Sequence, residues 1–158
     1  MRRDFAERLH LEMGKNKDIV VLTGDLGYGL WDRIRIDYQD RFFNVGSSKQ
    51  LMMGMAAGFA IEGKIPVVYS ITPFLLYRPF EFVRNYVDHE KIPVKLIGGG
   101  RDRDYGYLGF SHWAEEDKKI MENFNNIKTI HPPNVGKMHS NFKYVIDKKT
   151  PLYMNLKR

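Results

Sequence analysis

The sequence predicts an α/β fold in three layers: a six-stranded, mainly parallel sheet with helices on both faces. Three observations carry that prediction. Short β-branched or apolar runs alternate with helix-period segments along the whole chain, which is the pattern of a parallel sheet with crossover helices. The runs are nearly continuous apolar strings, as expected of strands buried on both sides. Glycine or serine closes several of them, at Gly24, Gly46, Ser70 and Gly98. In such a fold these closures gather at the carboxyl ends of the strands, where ligands bind.

Each element follows in order. Phe5, Leu9 and Met13 recur at helical spacing, so a helix covers about 2–14 and ends near Gly14. "DIVVLTGD" is a buried strand. The turn "GDLGYG" leads to a short helix at about 31–39, and "RFFNVG" is the second strand. Residues 48–62 form a helix stopped at Gly63, followed by the strand "KIPVVYS". "YRPFEFVRNYVDHE" is a helix with Pro79 near its start, where proline is tolerated. "IPVKLIGGG" is the fourth strand, and a polar loop over 101–110 leads to a helix at about 112–123. "NIKTIHPP" and "PLYMNLK" are the last two strands, with a helix in "NVGKMHSNFKYVIDKK" between them. No linker or repeat interrupts the pattern, so residues 1–158 are expected to be one domain.

Composition narrows the function classes. The chain is 43% hydrophobic and 28% charged, as in an ordinary folded domain. Its longest apolar run, Leu51 to Ile61, is too short to span a bilayer, and "MRRDFAERLH" lacks the apolar core of a secretory signal. Cysteine is absent, which excludes disulfides and thiolate metal sites and favours a cytoplasmic location. The net charge of +6 is scattered among 19 acidic residues, and no nucleic-acid-binding motif accompanies it. Neither a nucleic-acid partner nor a membrane is expected. The five histidines show no metal-ligand spacing, so no metal site is expected within the chain.

Several residues carry possible chemistry. "GDLGYG" is neither a Walker loop nor GxGxxG, but it places Asp25 at the ligand edge. Ser47 and Gln50 fit a capping box, which makes Lys49 the second residue of its helix. A cation there opposes the helix dipole, and on sequence alone it reads as a surface lysine bent into solvent. Gly54 and Gly58 leave one face of that helix bare, by chance or for a close helix crossing between chains. His112 follows Ser111, a possible N-cap, as either an exposed cap residue or a proton donor to substrate. "TPFLLYRPFE" sets aromatic residues around Arg78, suited either to a core or to a ligand wall.

Together, "VLTGDLG", "RFFNVGSSKQLMMGMAAGFAIEGKIPVVYS", "RPFEFVRN", "IPVKLIGGG", "GFSHWAEED" and "NIKTIHPPN" resemble the pyrimidine-binding domain of the transketolase family. The resemblance covers about 5–134. It implies the thiamine-diphosphate-binding fold and half of a shared cofactor site. A transketolase-like partner subunit would hold the diphosphate through magnesium, in a hetero-oligomer containing a dimer of this chain. The expected substrate is a keto sugar or 2-oxo acid. The family's Gly-Asp-Gly diphosphate motif is absent from these residues.

In the family the second of these segments reads Val-Gly-x-x-Glu-Gln, and its glutamate activates the cofactor. Here Val45, Gly46 and Gln50 match, but Lys49 stands at the glutamate position. An ammonium offers only donors. The family's pyrimidine-lining phenylalanines fall at Thr72 and Leu75, with Phe74 one place off, while Arg78 and His112 match by position. The resemblance thus assigns Lys49 and His112 to the catalytic positions, and Asp25, Gln50, Phe74, Leu75 and Arg78 to the cofactor. Two readings stand: an enzyme subunit weakened by Lys49, or a non-catalytic structural or regulatory partner.

Overall fold

The computed structural model describes residues 1–158. Its six strands are β1 (Ile19–Thr23), β2 (Phe42–Asn44), β3 (Ile65–Ile71), β4 (Lys95–Gly99), β5 (Lys128–Ile130) and β6 (Leu152–Leu156). They form one sheet in the order β2-β1-β3-β4-β6-β5. Every pairing is parallel, with Thr23 level with Asn44 on one side and Tyr69 on the other.

The period of two along β1 divides the core. Val21 faces one side with Val67, Ile97 and Met154. There it meets Phe5, Leu9 and Met13 of helix α1 (Arg2–Lys15), and Met138 of α7 (Val135–Asn141). Val20 and Leu22 face the other side with Val68 and Leu96. There they meet Met52, Met53 and Ala56 of α3 (Lys49–Ile61). Helices therefore cover both faces, as the near-continuous apolar strands require.

Three predicted elements change on folding. The helix expected over 77–90 starts earlier: α4 (Thr72–Leu76) follows β3 directly, with Pro73 in its first turn. Pro79 then interrupts it, and α5 (Phe80–Phe82) runs into a wider π-type turn over Val83–His89. The helix expected at about 112–123 shrinks to α6 (Asp117–Met121). Gly109 has a left-handed φ of 82°, Trp113 is extended, and Ala114 bridges back to Asp102. Glu115 pairs with Arg103 and Glu116 accepts from Tyr77, so neither side chain caps a helix start. Finally, the capping box does not form. Ser48 is the N-cap, without a side-chain cap, and Lys49 is the first helical residue. The remaining helix, α2 (Asp32–Asp37), lies where its spacing predicts.

Candidate functional site

Strand order reverses between β1 and β3: the chain leaves β1 for β2 on one side and continues from β3 to β4 on the other. In open parallel sheets ligands bind outside the carboxyl ends at such a reversal. Asn44, at the end of β2, fixes the rim there. Its Oδ1 accepts from the backbone N–H of Asp25 at 2.9 Å and of Gly46 at 3.1 Å. Asp25 itself has a φ of 58°, a left-handed conformation that Asp tolerates better than most residues. Its exposed carboxylate accepts a hydrogen bond from Tyr28, which raises the pKa of that phenol.

Lys49 reaches this edge from the first turn of α3. It does not bend into solvent: it is 5% exposed, and Nζ donates to the carbonyl oxygen of Gly24 at 2.6 Å. A Cβ at position 24 would stand 2.8 Å from Nζ, so only glycine leaves room for this approach. Burial holds the ammonium pKa below its usual value, and the nearby Arg78 charge pushes the same way against Asp25. Gln50, beside it, is exposed.

The second half of the site joins α4 to the loop after β4. The Phe74 ring meets His112 edge to face, with centroids 4.8 Å apart. The Arg78 guanidinium lies 4.1 Å from the centroid of Phe74, within cation–π range. Ser111 Oγ contacts His112 Nδ1 at 3.0 Å. Leu75 is not part of this face. It is fully buried in the core, because a helical turn rather than a loop follows β3 and points Leu75 inward. Thr72 is likewise buried and donates to Gly100 O at 2.7 Å. Phe74 is thus the ring that the segment 72–75 presents at the edge.

Two groups of residues escape sequence reasoning. Tyr105, 6.4 Å from His112 by ring centroids, receives a hydrogen bond from Arg2 Nη1 at 2.7 Å. Arg158 Cζ lies 4.9 Å from the same ring. Arg2, Arg3 and Arg158 line a cavity of about 450 Å³ beside Gly27 and Tyr28. Arg2 Nε is buried there without a hydrogen-bond partner. These arginines stand at opposite ends of the chain. The signal was topological: a helix preceding a first parallel strand starts at the carboxyl edge, where the last strand ends. The other group is Asp117, His131, Tyr153 and Asn155, a buried polar cluster behind the site. Its signal was a lone Asn within an otherwise apolar strand.

Residues 1–158 match the family described as "Transketolase, pyrimidine binding domain". The chain belongs to this family. It is 34% identical, over its full length and 50% of the relative, to a Methanocaldococcus jannaschii protein assigned as a transketolase C-terminal section. It is 33% identical, over 76% of this chain and 39% of the relative, to an apulose-4-phosphate transketolase subunit of Actinobacillus succinogenes. Among solved structures, a split gene transketolase, an inactive beta4 tetramer, superposes with a TM-score of 0.81 at 30% identity. That match covers 99% of this chain and 50% of the other. The chain spans about half the length of the first of these curated relatives.

The transketolase family implies thiamine diphosphate. The donor set at the edge does not fit that group in its reactive role. Lys49 presents an ammonium already committed to Gly24 O, at the position where the sequence resemblance leads one to expect a carboxylate. An exposed Asp25 held by Tyr28 is the nearby acid. Phe74 and Arg78 remain suited to stacking on a flat ring and pairing with an anion.

Proposed function

We propose that this chain is the pyrimidine-binding subunit of a split, transketolase-like, thiamine-diphosphate-dependent enzyme. A separate diphosphate-binding subunit that holds magnesium completes it. The observation that carries the reading is the joined cluster Arg78–Phe74–His112, open at the carboxyl edge of the sheet. Asp25 and Gln50 are exposed on the same edge. The substrate is a keto sugar or 2-oxo acid. The arginine cavity suits an anionic substituent on it. In support, one relative is an apulose-4-phosphate transketolase subunit, and another, at 30% identity, is a 6-deoxy-6-sulfo-D-fructose transketolase subunit. Phosphate and sulfonate are both anionic and tetrahedral. His112 Nε2 then serves as a hydrogen-bond donor or proton carrier toward the sugar.

Lys49 favours a second reading, in which the chain pairs with such a subunit but is non-catalytic. Either way the assembly is cytoplasmic and contains a dimer of this chain. Mixing the full chain with a diphosphate-binding transketolase section, followed by light scattering, tests the pairing. A stable hetero-oligomer is expected. Failure to associate with any such section overturns both readings. If the pair forms, the presence or absence of ketol transfer separates them.

A further inference from the structure

The two halves of the edge site are held together from behind by one side chain. Asn155 lies on β6 and is completely buried. Its Nδ2 is 3.2 Å from Thr72 Oγ1, 3.2 Å from Gly100 O and 2.8 Å from Asp117 Oδ2. The Tyr153 hydroxyl lies 3.1 Å away. On its other side, Oδ1 accepts from Arg101 Nε at 3.1 Å. Thr72 opens α4, which carries Phe74 and leads to Arg78. Gly100 opens the loop that carries Tyr105 and His112, and Asp117 closes that loop by starting α6. One amide therefore touches both ends of the His112 loop and the root of the Phe74 segment.

We infer that Asn155 is a positioning residue: through Thr72, Gly100 and Asp117 it sets the edge-to-face contact between Phe74 and His112. An amide suits the place because it alone supplies N–H groups to acceptors on one side and an oxygen to Arg101 on the other. The surroundings are demanding. Asp117 Oδ2 also accepts from Tyr153 at 2.7 Å and contacts His131 Nε2 at 2.9 Å. Burial pushes the Asp117 pKa up, but these hydrogen bonds outweigh it and hold the carboxyl below its ordinary value. An apolar side chain at position 155 leaves Arg101 Nε and part of this carboxylate's shell unpaired in the interior. The loop and the helix then lose their shared anchor. That the anchored contact serves a substrate rests on the proposed function; the anchoring itself does not.

The test reads the histidine side-chain resonances of the full chain by NMR, without partner or cofactor. In the folded protein the Phe74 ring is expected to shift the His112 signals, while His89, 81% exposed beside Glu90, serves as the reference. In Asn155→Leu the His112 signal is expected to collapse onto that of His89. His10 and His139, on α1 and α7, stay in place. In Asn155→Asp two buried carboxylates face each other, and the same collapse is expected. A merely structural Asn155 would lower the melting temperature and leave His112 where it was, which overturns the inference. Should the Leu variant not fold, Thr72→Val removes the hydroxyl that bonds both Gly100 O and Asn155 Nδ2, and it must still move His112. An unmoved signal there also overturns the inference. Loss of ketol transfer in a partner complex with the His112 signal intact would instead count against the proposed function.

Discussion

At the scale of single residues, Lys49 has the most to explain. Its Nζ reaches the end of β1 because Gly24 has no side chain. Glutamate is shorter and presents an acceptor, so Lys49→Glu abandons Gly24 O and gains the helix-dipole interaction of roughly 0.3–1 kcal/mol. Losing a buried hydrogen bond from a charged donor costs about 1.5–3 kcal/mol, so the melting temperature should fall modestly. In complex with a diphosphate-binding subunit, Lys49→Glu is expected to raise hydrogen–deuterium exchange at the thiazolium carbon by orders of magnitude, and Lys49→Gln is not. If the unmodified chain already exchanges as fast, Asp25 is the first acid to replace. A second buried lysine lies at the opposite, amino end of the sheet. Lys95 donates to Thr150 O, and burial lowers its pKa to about 8, against a smaller upward pull from Asp147. Between that value and the unfolded 10.5 the folded chain binds fewer protons than the unfolded one, so stability rises with pH across that window. Urea midpoints should show a gain of about 2 kcal/mol from roughly pH 7.5 to 9.5. Lys95→Met should abolish that slope; an unchanged slope would assign it to another group.

At the scale of elements, what was legible depended on periodicity. α1 and the six strands were plain because Phe5, Leu9 and Met13, or runs such as "DIVVLTGD", repeat with the period of their element. The region 100–117 was not. Its acids look like a helix start, yet they are taken by Arg103, Tyr77 and the buried cluster around Asn155. Those are partners distant in sequence, which no local pattern reveals. α4 escaped for a related reason: it begins at Thr72, whose hydroxyl is tied to Gly100 rather than to its own helix. For α3 the period revealed a bare face but not what it meets. A Cβ at Gly54 would touch Phe82 at 3.4 Å, an ordinary contact, and one at Gly58 would meet nothing. Within the chain Gly58→Ala should therefore add about 0.5–1 kcal/mol of stability, since glycine is a poor helix interior. Leu51 and Ile61 are 55% and 69% exposed on the same helix, and the proposed dimer of this chain covers this face. Gly58→Ala should then raise the melting temperature of the monomer while weakening association in sedimentation. Stabilisation without any change in association would move the dimer contact elsewhere.

At the scale of the whole molecule, the parallel sheet sets what one chain can hold. All six carboxyl ends point one way, and strand order reverses between β1 and β3 on that edge. The order of the central strands could not be read from the sequence, because β1, β3, β4 and β6 are each buried throughout and any of them suits the centre. Once the order is known, the positions of Lys49, Phe74, His112 and the arginine cavity follow from it. Together they offer an aromatic ring and cationic groups, with cavity walls on one side only. A ligand gripped through a single face gains a fraction of the contact that an enclosed site provides. The isolated chain is therefore expected to bind thiamine diphosphate weakly, with little dependence on magnesium. Calorimetry at fixed pH, with and without magnesium, measures this directly. Adding the diphosphate-binding subunit should tighten binding and make it magnesium-dependent, and replacing Arg78 with Met should weaken it in the complex. Tight, magnesium-dependent binding to the isolated chain would place the diphosphate site within these residues and remove the need for a second subunit.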